Sequence, residues 1–201
     1  MTLNLPNIWI SVGNAVFLFS VYFYLKNKIS KEHILASSLL AMFVALFTGR
    51  LFFAFINNTS YFTAMNILKS NEGGYSVLGA IAGAFCVFFA YTKFFKLPTK
   101  EIVSKVVPSW CAAQMFWRMN CLCSGCCFGR TTENLFIKRL SSLLGVQNPD
   151  LIPLPFFEIL LMAVLFLLLG PLKPTKLKDV YVFWIFLFVY LSYRGAVWQL
   201  L

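Results

Sequence analysis

At 201 residues the chain is 60% hydrophobic and only 12% charged, with a mean hydropathy of +0.77, which excludes an ordinary soluble domain. The formal charge of +10 could suggest a nucleic-acid partner, but the lysines collect in alternate connections between apolar runs, so the basic excess reports membrane orientation and no nucleic acid is expected. No internal repeat, low-complexity tract or soluble domain interrupts the pattern.

Six apolar runs follow in chain order: Ile8–Leu25, Ile34–Ile56, Val77–Phe95, Val106–Phe128, Ile152–Gly170 and Val180–Leu200. Each approaches or exceeds the roughly 20 residues that cross about 30 Å of hydrocarbon as a helix. The expected class is therefore all-α, a polytopic membrane helical bundle of about six spans, because only helices satisfy their own backbone in lipid. The fourth run is the weakest, interrupted by Pro108, Gln114, Arg118 and Asn120. Lys26, Lys28 and Lys31 follow the first run, Lys93, Lys96, Lys100 and Lys105 the third, and Lys173, Lys176 and Lys178 the fifth. The positive-inside rule puts those connections in the cytoplasm and both termini outside. The uncharged Met1–Asn7 lacks the basic start of a cleaved signal peptide, so the first span is expected to be retained.

This topology places the ionisable residues of the apolar runs. Arg50 lies roughly 10 Å short of the external end of the second span, at 1.5 Å per residue. Arg118 and Arg194 fall near the external ends of the fourth and sixth, and Glu158 about two turns into the fifth, which enters from outside. All four occupy the outer half of the bilayer. A charge in hydrocarbon costs several kcal/mol, so such residues mark sites. Three arginines against one glutamate leave positive charge in excess, and the planar guanidinium fork suits phosphate or carboxylate oxygens. An anionic phospholipid headgroup is the natural ligand, with Glu158 orienting an arginine or accepting a proton. The bland reading is snorkelling arginines and one structural ion pair.

At the same level runs Cys121-Leu122-Cys123-Ser124-Gly125-Cys126-Cys127, flanked by Arg118 and Arg130. Cys86 and Cys111 lie inside spans as small packing residues. For the dense four, three explanations stay open. A disulfide suits an oxidising external face. A soft-metal site would use Cys123 and Cys126 as a C-x-x-C pair, though no second such pair or histidine pair completes a zinc set. A reactive thiolate would be favoured by the neighbouring arginines. The one histidine, His33, is at the cytoplasmic end of the second span, roughly 25 Å along a helix from Arg50, and serves as an interfacial residue. In the external loop, Asn134–Leu144 carries Phe136, Leu140, Leu143 and Leu144 at helical spacing, as a short amphipathic helix on the outer leaflet or a loop packed on the bundle. The small residues of Gly73–Gly83 permit close helix approach.

The segment from Arg118 to Arg130 resembles the signature of the bacterial prolipoprotein diacylglyceryl transferase family, approximately G-R-I-G-N-F-x-N-G-E-x-x-G-R, in ungapped register with matches at Arg118, Gly125, Gly129 and Arg130. Gly49-Arg50-Leu51 resembles an early G-x-R-L region, and Gly73–Gly83 a G-G-M-S-F-H-G-G-L-x-G segment. Pro153 to Glu158 resembles P-S-Q-L-Y-E, and Tyr190 to Arg194 resembles Y-G-x-x-R. Five segments stand in the family's order.

The resemblance implies a single transmembrane domain over residues 1–201, in a bacterial cytoplasmic membrane, its external site built from the 49–83, 118–130, 153–158 and 190–194 segments. It also implies transfer of a diacylglyceryl group from phosphatidylglycerol to the lipobox cysteine of a preprotein, or to another thiol acceptor, leaving glycerol phosphate. Arg118 and Arg194 would hold the phosphate and stabilise its departing charge, with Glu158 and Cys126 at the catalytic centre. Arg50, Arg130, Gly79, Gly125 and Gly129 would complete the substrate site. No cofactor or metal is expected.

The chain departs from the family pattern at its polar centre. Leu78 stands where the family has histidine, Cys121 where it has asparagine, Cys126 where it has the signature glutamate, and Trp198 where it has a later glutamate. Two alternatives follow. One is a membrane thiol protein using Cys121, Cys123, Cys126 and Cys127 for redox exchange, metal binding or transient acylation. The other is a binder of anionic lipid without catalysis.

Overall fold

Helix α2, Lys31–Ile56, shows how this sequence packs. Its buried residues are small or polar: Ser37, Ser38, Ala41, Ala45, Gly49 and Ala54, with Ile34 and Arg50. Its large apolar residues, among them Leu35, Leu39, Phe43, Leu46 and Phe55, are exposed. A water-soluble helix would bury the second set. Helices that meet in lipid gain from close backbone approach and leave bulky apolar side chains to the acyl chains.

The computed structural model describes residues 5–56, 75–173 and 177–198. Gly73, Gly74 and Lys176, and most of Met1–Asn7, lie outside the described residues. Seven helices are described: α1 Leu5–Leu25, α2, α3 Val77–Phe94, α4 Thr99–Cys123, α5 Leu135–Leu143, α6 Leu154–Leu169 and α7 Asp179–Trp198. Among the described residues the only strand-like pairing is an isolated antiparallel bridge between Thr131 and Leu151. All six expected runs are helical. Four helices, α1, α2, α3 and α7, are long and apolar enough to cross a membrane. The 16 residues of α6 reach about 24 Å, and α4 is the helix diluted by polar residues. Helix α4 also stops at Cys123, short of the expected Phe128, so Cys126 and Cys127 lie beyond its end.

The chain divides into two compact units, 1–21 with 104–201, and 22–103. In the second unit α3 packs along α2. A Cβ on Gly79 would lie 2.7 Å from the Thr48 carbonyl oxygen and 2.5 Å from Phe52 Cβ, and one on Gly83 would lie 2.0 Å from Thr48 Oγ1. Ser76 caps α3 by accepting from the Gly79 N–H at 3.4 Å. His33 pairs through Nδ1 with the Tyr91 hydroxyl at 2.9 Å and packs on Phe95, an internal structural role.

In the first unit α1 packs on α4. A Cβ on Gly13 would fall 2.5 Å from the Trp117 ring, and Trp117 Nε1–H donates to Asn14 Oδ1 at 3.1 Å. Phe17 and Trp110 meet edge to face. Beyond α4, the segment 129–132 pairs with 150–152: Gly129 N–H donates to Ile152 O, and Thr132 N–H to Asp150 O. The excursion between them holds α5, capped by Asn134 Oδ1. Helix α5 thus realises the amphipathic segment, with Leu135, Phe136 and Leu143 exposed and Ser141 buried.

Gly79→Ala is expected to cost about 1–3 kcal/mol, as other overpacked sites do, because the obstructing Thr48 carbonyl is backbone. Gly83→Ala meets a side chain instead, so adding Thr48→Ala should restore part of its stability and none of that lost in Gly79→Ala. Thermal unfolding in detergent of the two singles and the two doubles checks this; equal rescue of both would show that the crossing is looser than described.

Candidate functional site

Two helices bring arginines to one carboxylate by the same device. On α4, Gln114 and Arg118 are four residues apart and share a face; on α7, Tyr190 and Arg194 do the same. Glu158 projects from α6 just past its first turn, where the helix N-terminus favours an anion. All but Arg194 of these five are buried, Glu158 with 2% of its surface exposed and Arg118 with 5%.

Glu158 Oε1 lies 2.8 Å from Arg118 Nε and accepts from Gln114 Nε2 and the Tyr190 hydroxyl, each at 3.1 Å. Its Oε2 takes Arg194 Nη1 at 3.5 Å. Tyr193 adds a bond from its hydroxyl to the Leu154 carbonyl, fixing α7 to the start of α6. A buried charge needs this saturation, since the desolvation of a carboxylate exceeds what one partner returns.

The arginines are not saturated in turn. Two guanidinium charges face one carboxylate, leaving one positive charge over. Arg118 Nη2 is buried without a hydrogen-bond partner among the described residues, as is Asn120 Oδ1. Arg118 Nη1 reaches Cys121 Sγ at 3.8 Å, a long, charge-assisted contact. Planar donors and a surplus charge are the chemistry that suits an anion.

The cysteines group differently from their spacing. Helix α4 ends with Gly125 in the left-handed region at φ +67°, the Gly125 N–H bonding to Leu122 O and the Cys126 N–H to Cys121 O. This paired pattern is a Schellman turn, and it folds Cys126 back over Cys121. Cys127 then also takes a left-handed φ of 64°, which costs a residue with a Cβ roughly 1–2 kcal/mol. The sulfur atoms of Cys121, Cys126 and Cys127 lie within 4.8 Å of one another, Cys126 and Cys127 at 3.7 Å. Cys123, the other member of the C-x-x-C spacing, is exposed and outside this group. Side-chain hydrogen bonding with Cys121, helped by the Arg118 charge against partial desolvation, lowers the Cys127 thiol to about 5.

The remaining expected residues are placed as follows. Arg130 is exposed on the loop, its carbonyl accepting from the Ile152 N–H, and Gly129 is buried in the 129–132 pairing. Arg50 is buried in the 22–103 unit over the Tyr75 ring, 5.2 Å from its centroid, a cation–π contact, and Gly79 lies at the α2–α3 crossing of that unit. Gln114 and Tyr190 are the partners that reasoning from single residues passed over. The signal was the four-residue spacing from each arginine.

Four membrane-length helices, with a buried ion group on α4, α6 and α7, define a multi-pass membrane protein with a polar site. The family model for prolipoprotein diacylglyceryl transferase matches residues 7–198, and the chain belongs to that family. It is similar to the phosphatidylglycerol–prolipoprotein diacylglyceryl transferase of Clostridium tetani (strain Massachusetts / E88), 27% identical over 108 residues, 54% of this chain and 43% of that protein. A protein of the same name from Rhodopirellula baltica (strain DSM 10527 / NCIMB 13988 / SH1) is 31% identical over 71 residues, 35% of this chain and 14% of the relative. These matches span less than half the length of either relative.

Glu158→Leu leaves both guanidinium groups facing a buried apolar side chain and is expected to lower stability by about 3–5 kcal/mol. Glu133→Gln, on the exposed loop, should leave it within about 0.5 kcal/mol. Melting temperatures in one detergent decide the matter; a Glu158→Leu protein as stable as the parent would mean that Glu158 is not what holds Arg118 and Arg194.

Proposed function

We propose that the chain is a membrane transferase that moves a diacylglyceryl, or related lipid-derived, group from an anionic phospholipid such as phosphatidylglycerol to a thiol. On this reading it crosses a bacterial cytoplasmic membrane about six times, with both termini and the site on the outer side. The observation that carries the proposal is the surplus positive charge of Arg118 and Arg194 around Glu158, with Arg118 Nη2 buried and unpartnered, in a member of this family.

The chemistry follows from charge. The acceptor sulfur, as thiolate, attacks the glycerol carbon that bears the phosphate ester. A C–S bond forms, the C–O bond breaks, and its electron pair leaves on the phosphate oxygen as glycerol phosphate. Negative charge grows on that oxygen in the transition state. Donors fixed beforehand in a water-poor site stabilise it at little reorganisation cost. Arg118 supplies the free Nη2 donor and Arg194 the second charge. Arg50 and Arg130, with Gly79, Gly125 and Gly129, are assigned to lipid binding by the resemblance.

Glu158 is a positioning residue. One of its oxygens takes three partners and the other takes Arg194, so it holds both guanidinium groups in place. On the same reading helix α5, whose Leu135 and Phe136 are exposed, lies on the outer leaflet.

The purified chain in detergent, given phosphatidylglycerol and a lipobox peptide, should release glycerol phosphate in a peptide-dependent manner. Arg118→Ala and Arg194→Ala should each lower the rate by about 100-fold or more, the range for loss of one transition-state donor. Undiminished release by correctly folded variants would overturn the proposal. Lipid that binds in an Arg118-dependent way without any release would identify a lipid-binding protein instead.

A further inference from the structure

The proposed transfer needs the acceptor thiol to lose its proton, and the described site offers no free base. Glu158 is saturated by cations and donors, Leu78 cannot take a proton, and His33 is engaged with Tyr91 in the other unit. What the site does contain is three thiols where the α4 Schellman turn ends. Their sulfurs lie within 4.8 Å of one another.

We propose that Cys121, Cys126 and Cys127 form a three-thiolate zinc site whose fourth position is open to an external thiol. Geometry is the first argument. Tetrahedral zinc with Zn–S bonds of about 2.3 Å needs sulfurs about 3.8 Å apart. Cys126 and Cys127 are 3.7 Å apart, so small rotamer changes at Cys121 complete the triangle. The backbone is the second argument. Two consecutive residues reach one point only because Gly125 and Cys127 both adopt left-handed φ, and strain of this kind at a side chain with a Cβ collects at functional sites. Charge is the third. Three thiolates and Zn²⁺ carry −1, a charge that the adjacent Arg118 guanidinium tolerates. Arg118 Nη1, 3.8 Å from Cys121 Sγ, supplies the outer hydrogen bond that ligating sulfur needs.

Three protein ligands with an open fourth position is the pattern of catalytic rather than structural zinc. The role assigned here rests on the transferase reading; the site itself does not. A water on the fourth position is displaced by the acceptor thiol. The sulfur binds zinc as thiolate, and the proton leaves with the water as hydronium, because a coordinating thiol is deprotonated outright. The metal thus does the work of the base the family pattern would place at Cys126 or Leu78. Its Lewis acidity replaces their proton affinity.

The test uses the full chain in detergent, reduced, stripped with EDTA and reloaded with Zn²⁺ alone. One zinc per chain by elemental analysis is expected, together with sulfur-to-metal charge-transfer absorption when Co²⁺ replaces it. A lipobox cysteine peptide added to the Co²⁺ form should shift the tetrahedral d–d bands, and its Ser analogue should not. Cys121→Ser, Cys126→Ser and Cys127→Ser should each lose stoichiometric zinc, while Cys123→Ser keeps it. Elution volume and helical circular dichroism screen the variants for folding, and the Co²⁺ spectrum of the parent decides if one fails to fold. Fully reduced parent protein that binds no zinc, or loss in Cys123→Ser equal to that in the other three, overturns the proposal. So does a disulfide among the three in protein purified without reductant. Zinc bound with no glycerol phosphate release defeats only the transferase reading. Release that survives complete zinc removal defeats only this one.

Discussion

A carboxylate moved from water into a protein interior flanked by hydrocarbon loses several kcal/mol of hydration, and only multiple well-placed partners return it. Glu158 meets that condition with groups from two other helices: Gln114 and Arg118 on α4, Tyr190 and Arg194 on α7. The three helices are therefore registered by electrostatics as well as by packing. In a membrane this matters more than in water, because lipid tails solvate apolar side chains as well as another helix does and supply no burial force to choose a register. A slide of one turn, about 5.4 Å, on any of the three would strand a charge.

The same interaction leaves the charges unequal. Had the charges balanced, the site would be closed to anions and structural only. One carboxylate for two guanidinium groups holds both forks in place while leaving charge over for a ligand. Orientation and unsatisfied charge thus come from one unequal pairing. Arg118 is the hinge between the two sub-sites, with Nε toward Glu158 and Nη1 toward Cys121. A lipid phosphate on one side and sulfur chemistry on the other would share a single cation.

Much of this could be read from the amino-acid order, and the parts that could not have physical causes. The helices follow from hydropathy, four of them long and apolar enough to cross a membrane, because the backbone in lipid has few alternatives. Of the four ionisable residues expected at one depth, Arg118, Glu158 and Arg194 meet, and Arg50 packs on Tyr75 in the 22–103 unit. Gln114 and Tyr190 escaped because neither is charged, although each sits four residues before an arginine and so on its face. Which of the four cysteines group is not fixed by spacing, for a different reason. Spacing rules treat C-x-x-C as a unit, whereas here the turn decides: a left-handed Gly125 sends Cys126 back toward Cys121 and leaves Cys123 facing out. A glycine two residues past the end of a helix carries that information, but only once the end of the helix is known. The stop of α4 at Cys123 instead of Phe128 was the missing datum.

The short pairing of 129–132 with 150–152 closes the chain on itself directly after the cysteine turn. Everything from 133 to 149, α5 included, leaves and returns through that one clasp. Such an excursion behaves as a cassette. Its length and sequence can change at the modest entropic cost of a longer loop, without altering the ends that hold the turn and the start of α6. The segment can then vary while the buried ion group on α4, α6 and α7 stays fixed.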